Sequence, residues 1–414
     1  MSISIMDNYQ VIIIIISLSA GFGYINQKFI KMPFVIGLFF LSSLLSLLIL
    51  SSKFWAYNYF AEIKTVIESI DLSKYILEYM LGYLLFAGSL HTDWAHIKSQ
   101  IQTISIFALA GVLISTFIIS GLFSGVCSLL GVRMDYIYCL LFGGLMSPTD
   151  PIAVLGILTK ANVPQKIESI IVGESLFNDG VGVVVFIALL EVLKSGSAQF
   201  DIGHFGFLFI QQSMGGVLFG LLAGFTLHKI LTSIDHYETE VLLTLAFVMF
   251  SYDLCLHLHI SGALAMVIMG LFVGNYHQEK AMSRETIEYV EKFWELIDVI
   301  LNAFLFVIIS FVLVVIDFKT EYIVVGLLSI LIVLMARMII VFLPKWLVPT
   351  IVDITHKEGK LIVWGGLRGG LSIALVLSLP IGGERNILLI ATYICVVFSI
   401  MVQGLTIEKM AKKV

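Results

Sequence analysis

Long apolar runs, separated by short clusters of charge, Pro and Gly, dominate the chain. Thirteen such windows can be marked, at 9 to 27, 32 to 50, 74 to 91, 101 to 131, 136 to 159, 167 to 195, 203 to 232, 239 to 257, 260 to 276, 295 to 317, 321 to 345, 359 to 379 and 384 to 408. A helix that crosses a bilayer needs about 20 mostly apolar residues. The runs are continuously apolar where a transmembrane barrel strand would alternate, so barrel spans are excluded. The pattern predicts an all-α polytopic membrane protein with about thirteen transmembrane helices, forming a single domain over residues 1–414. The weakest division lies between the eighth and ninth windows, at His259/Ile260.

Composition agrees with a bilayer setting. The chain is 59% apolar and 13% charged, with mean hydropathy +1.02, against about 45–50% and about 25% in soluble domains. A net charge of −5 without a long basic run disfavours a nucleic-acid partner. The four cysteines, at 127, 139, 255 and 395, lie in apolar stretches with no metal-ligand spacing and read as small core residues. The first window lacks a basic flank and a cleavage site, so it reads as a retained helix.

An odd span count puts the termini on opposite sides. With the N-terminus outside and the C-terminus cytoplasmic, inner connections hold fifteen Lys and Arg and outer ones seven, which is the expected bias. The localisation expected is a cell membrane, the bacterial inner membrane. Two connections are long enough to fold locally: 51 to 73 outside, and the charged segment 277 to 295 inside, read as a short helix on the membrane surface. No soluble regulatory domain is expected, which confines function to the membrane.

Ionisable groups within spans mark ion paths or proton relays, or are buried structural pairs. Asp150, Glu174, Asp179, Arg337 and Arg368 are the clearest. The fifth window contains GGLMSPTDP (143 to 151), where Pro148 and Pro151 each remove a backbone donor and clash with the preceding turn. The helix must open there, which a membrane tolerates only in a protein interior or beside a polar cavity. The twelfth window carries GGLRGG (365 to 370), four glycines around one permanent cation. These interruptions occupy the same position in two six-helix units, approximately 9–195 and 239–408, joined by a linker helix at 203–232. Matching interruptions point to a transporter with inverted repeats and a site near the midplane. Asp150 and Arg368 either neutralise half-helix ends or contact the ion directly.

In GESLFNDG (173 to 180), Ser175 and Asp179 are four apart and share a helix face, with Asn178 beside them. A carboxylate, a hydroxyl and carbonyls near Thr149 suit a hard cation such as Na+, and the carboxylate can also hold a proton. One such carboxylate predicts one-for-one competition and electroneutral exchange.

These stretches resemble the NhaP/NHE-like sodium/proton exchangers of the cation:proton antiporter superfamily. The resemblance rests on SPTDPIAV (147 to 154), GESLFNDGVGVVVF (173 to 186), HISGALA (259 to 265), FWELIDVILNAFLF (293 to 306), the Arg337 span and GGLRGGLSIAL (365 to 375). It implies an NhaA-like antiporter fold with two interrupted, crossing helices. Core helices would lie at about 101–195 and 321–408, the remainder would form a dimerisation domain, and the protein would act as a homodimer by alternating access. It implies Asp179 as the ion and proton carboxylate, with Asn178 and Ser175 beside it and Thr149 and Asp150 at the helix break; Asp179, Ser175 and Thr149 would ligate Na+. Glu174 would pair with Arg337. No cofactor is implied beyond the transported ion. The third window departs from some relatives by placing Ala87 where an acidic residue can stand, and Asp253 lies outside the family pattern and is read as structural. None of the nine histidines is assigned a role.

Two other transport readings and one enzymatic reading remain open at this level. Potassium/proton exchange differs only in cavity size and oxygen placement. A passive channel would show a carbonyl repeat or charged rings, which are not found. An intramembrane aspartyl hydrolase could use Asp150 and Asp179 but leaves the paired interruptions and both arginines unexplained.

Overall fold

The computed structural model describes residues 8–150, 158, 161, 163–194, 202–276, 284–316 and 318–413. Within them the chain is helical and contains no strand. Helices α1 (Asn8–Ile25), α2 (Phe34–Ser51) and α3 (Tyr57–Ser69) are followed by α4 (Leu81–Leu90), α5 (Gly111–Leu129), α6 (Tyr136–Met146) and α7 (Gln165–Lys194). Then come α8 (Ile202–Leu231), α9 (Tyr237–His257), α10 (Gly262–Tyr276), α11 (Arg284–Val315) and α12 (Thr320–Leu347). The interrupted pair α13 (His356–Gly365) and α14 (Gly370–Leu377) precedes α15 (Gly383–Phe398) and α16 (Gly404–Ala411).

Among the described residues, nine helices are long and apolar enough to cross a membrane, and α13 with α14, bent by 44°, makes a tenth. The shorter α6 and α10 are apolar as well. All thirteen apolar windows fall on helix, but the edges differ in two places. The fifth window is helical only to Met146; beyond the interruption, residues 151–157, Pro151 among them, lie outside the described residues. The charged segment 277 to 295 is not a separate surface helix: 277–283 lie outside the described residues, and from Arg284 the chain is already in α11, which runs 32 residues without a break. The connection at 51 to 73 does fold locally, as α3, which buries Phe60 and Ile67 against Val314 of α11.

The division at His259/Ile260 has a local cause. His259 adopts a left-handed conformation, φ 54°, and the Ile260 N–H reaches back to the Cys255 carbonyl at 3.1 Å. Such a six-to-one bond around a left-handed residue is a helix C-cap, and histidine is among the side chains that tolerate it.

Two groups of helices share the buried surface. One core cluster joins side chains of α5, α6, α7, α12, α14 and α15 with residues of α2, α10 and α11; another joins α4, α8, α9 and α10 with residues of α7 and α11. Apolar side chains gain little by leaving lipid for protein, so close approach of small residues carries helix association here. On α8, Gly216 and Gly220 press against the carbonyls of Ser261 and Ala265 at the start of α10, where a Cβ would collide with backbone. The four cysteines are buried and unbridged.

Candidate functional site

The two interruptions cross. The Asp150 N–H, just past the end of α6, donates to the Leu367 carbonyl between α13 and α14 at 2.9 Å. Nearby, the Ser372 hydroxyl of α14 donates to the Leu145 carbonyl of α6 at 2.7 Å. Each opened helix thus satisfies backbone groups the other has exposed, which is what permits irregular backbone at membrane depth. Gly182 of α7 makes room for the Pro148 ring, and a Cβ there would overlap it.

α7 supplies the residues facing the first interruption. Asn178 clamps Thr149 at two points: its Oδ1 accepts the Thr149 N–H at 3.1 Å, and its Nδ2 donates to the Thr149 hydroxyl at 2.9 Å. Since a backbone N–H can only donate, this pairing fixes the amide orientation. The Thr149 hydroxyl also meets the Ser175 hydroxyl at 3.0 Å. All three side chains are buried. Asn178 therefore holds the opened backbone of the neighbouring helix, a role its position beside Asp179 does not reveal.

One turn away, Glu174 and Arg337 form a buried ion pair, 1% and 6% exposed. Arg337 Nη2 donates to Glu174 Oε2 at 2.8 Å, and Nη1 donates to Oε1. This two-point geometry directs two charge-assisted bonds at one carboxylate. Nη2 also reaches the Ile362 carbonyl at 3.3 Å, which ties α12 to α13. A cavity of about 510 Å³ reaches the first interruption at Pro148. Its wall includes Asp179, Thr149, Asp150 and the start of α14 at Gly369 to Ser372, and towards its mouth Asp93, His96 and Glu168. Asp179 is only partly buried where Glu174, Ser175 and Asn178 are closed in. Ser175 is turned to Thr149 and does not form part of the cavity wall.

A sodium/hydrogen exchanger transmembrane family model matches residues 14–413. The chain belongs to the sodium/hydrogen exchanger family. It is 42% identical over 410 residues to the Na(+)/H(+) antiporter NhaP of Pseudomonas aeruginosa, covering 96% of this chain and 95% of that one. It is 36% identical over 344 residues to the antiporter NhaH of Halobacillus dabanensis, 82% of each. The sodium proton antiporter MjNhaP1 of Methanocaldococcus jannaschii shares the fold, with TM-score 0.77, 20% identity and 98% of each chain covered.

In this exchanger the remaining charges divide by location. The Asp150 carboxylate lies against Gly369, the residue preceding α14, where a Cβ would overlap it. A carboxylate at a helix N-terminus is favoured by the partial positive charge there. Arg368 shows the opposite match: Nη1 donates to the Gly366 carbonyl, just past the end of α13, at 3.0 Å. Arg368 is 3% exposed and faces two small voids among α7, α12 and α15, away from the large cavity. Ala87 is fully buried and off the cavity wall, to which α4 contributes leucines, Gly88 and, just past its end, His91. Asp253 is exposed, with its carboxylate 3.5 Å from His257 one turn on.

Two features of the site carry no role in the sequence reading. Asp298 of α11 is on the cavity wall, and its carboxylate accepts the Asn302 amide at 3.0 Å. The signal for it was a carboxylate inside a membrane-length helix, within a stretch quoted only for its family likeness. The other is a pair of polar residues on the π-helical turn between α15 and α16, Ser399 and Gln403, which pack behind the second interruption.

Proposed function

We propose that this chain exchanges sodium ions for protons across a cell membrane, one for one, through alternating access. The observation that carries the reading is Asp179 on the wall of a deep cavity, beside an opened helix that offers the Thr149 and Asp150 oxygens. In this reading Asp179 carries a proton in one direction and the cation in the other. Thr149 and Asp150 complete the oxygen shell, Ser175 and Asn178 hold Thr149, and Na+ is cargo with no resident cofactor. Glu174 is committed to Arg337 and is no part of the ion site. The chain is a transporter and not an enzyme; an aspartyl hydrolase reading has no support from the family.

The thirteen windows are read as thirteen spans, with α10 as one and α13 with α14 as another. The N-terminus is outside and the C-terminus cytoplasmic, in a bacterial inner membrane. The helices of 101–195 and 321–408 move as a core against a dimerisation domain formed by the others, in a homodimer.

The test is flux in proteoliposomes. An imposed sodium gradient should drive proton movement, and a potassium gradient of the same size should drive less. Asp179→Asn should abolish both while the protein still elutes as a folded species. A membrane potential is worth about 2.3 kcal/mol per charge per 100 mV, yet it should drive no proton flux under a valinomycin clamp, because the loaded core carries the same charge both ways. Sodium-driven flux persisting in Asp179→Asn would overturn the site, and steady potential-driven pumping would overturn the stoichiometry.

A further inference from the structure

An α-helix continued through the second interruption would bond the Arg368 N–H to the Trp364 carbonyl, four residues earlier. With the chain opened between Gly365 and Gly370, that bond is absent, and both groups lie in a protein interior where an unpaired polar group is costly. The last helix supplies a substitute. The Arg368 N–H donates to the Ser399 hydroxyl at 2.9 Å, that hydroxyl donates to Gln403 Oε1 at 2.6 Å, and Gln403 Nε2 donates to the Trp364 carbonyl at 3.0 Å. Every donor and acceptor runs in one direction, from the amide after the break to the carbonyl before it. Ser399 and Gln403 are 1% and 2% exposed, and they are the two ends of a π-helical turn between α15 and α16. Such turns inside helices are frequent at functional sites.

We propose that Ser399 and Gln403 form a clasp that replaces the missing helical bond, sets the opening between α13 and α14, and thereby positions the cation site. The transmission is through one peptide unit. The Arg368 N–H held by Ser399 and the Leu367 carbonyl that accepts the Asp150 N–H belong to the same planar amide. Rotation of that plane on one side displaces the partner on the other, so a loosened clasp moves the backbone of Asp150 and, next to it, Thr149. Ser399 and Gln403 are positioning residues: neither is on the wall of the large cavity.

The consequence for transport rests on the exchange reading above, whereas the geometry of the clasp does not, and the experiment separates them. In wild type, Ser399→Ala, Gln403→Leu and the double variant, hydrogen exchange of the peptide covering 364 to 370 is followed by mass spectrometry alongside sodium/proton flux. Faster amide exchange is expected in each variant. The apparent sodium constant should rise about three- to tenfold, the scale set by one lost hydrogen bond. The double variant should be no worse than the poorer single one, since either change opens the same chain of bonds. Ser399→Cys, nearly isosteric and retaining a weak donor and acceptor, should fall between wild type and alanine. It also serves as the folded comparison if an alanine or leucine variant fails to assemble. Unchanged protection of the segment in folded variants would overturn the clasp. A fall in maximal rate and thermal stability with an unchanged sodium constant would reduce the pair to packing and overturn the positioning role. Absence of flux in wild type would count against the exchange reading, with the clasp still judged by amide protection.

Discussion

The two interrupted helices cross at one point but do different work. At the first, Pro148 forces the opening, and the residues it releases, Thr149 and Asp150, face the cavity with Asp179. At the second, glycines permit the opening without forcing it, and the one charged side chain, Arg368, turns inward to the carbonyl of Gly366. In the proposed exchange the first interruption presents oxygens to the ion and the second is scaffold. The partners that hold them open differ accordingly: the amide of Asn178 for the first, and Ser399 with Gln403 for the second. Pseudo-symmetry in a sequence therefore matches positions and not chemistry. A proline break is fixed by its own covalent structure, while a glycine break must be fixed by its neighbours.

The largest expected effect belongs to the Glu174 and Arg337 pair, which ties α7 to α12 and whose guanidinium also reaches α13, the helix that leads into the second interruption. Removing one member strands a buried charge, at a cost of about 3–5 kcal/mol. Glu174→Gln and Arg337→Ala should each lower thermal stability in detergent, and the double variant should be less damaging than the sum. Additive losses would mean that the pairing contributes nothing.

A smaller effect belongs to the first interruption alone. Asn178→Ala leaves the Thr149 N–H buried without its acceptor, which costs ~1–3 kcal/mol. Melting should fall by less than in the ion-pair variants, while the apparent sodium constant rises because the Thr149 oxygens lose their anchor. A melting loss with an unchanged sodium constant would erase the distinction between the ion-facing break and the scaffold break. The smallest effect is Ser175→Ala, which removes one neutral partner of the Thr149 hydroxyl. It should raise the sodium constant about two- to fivefold, as expected for one hydrogen bond of roughly 0.5–1 kcal/mol, and leave maximal flux nearly unchanged. A larger rise than in Asn178→Ala would make Ser175 a direct ligand.

Sequence alone was sufficient wherever a residue's own chemistry dictates the outcome. Continuous apolar runs must be helical in a bilayer because no other local structure satisfies every backbone group there. Pro148 ends a helix whatever surrounds it. A four-residue step puts Ser175 and Asp179 on one face, and intramembrane charge singled out Glu174, Asp179 and the two arginines. Tertiary structure decided what those groups meet. Four-residue spacing could not show that Ser175 turns to Thr149 while Asp179 reaches the cavity, because that depends on where α6 ends against α7. The pairing of Glu174 with Arg337, 163 positions away, entered the sequence reading through the family resemblance and not through spacing, and only the structure shows that Arg368, equally charged and equally buried, answers a helix end instead. Asp298, Ser399 and Gln403 stood in the sequence as one more carboxylate and two ordinary polar residues. Their roles exist only because packing brings α11 to the cavity wall and the last helix behind an opened one, and hydrogen bonds and ion pairs act over a few ångströms whatever the separation along the chain.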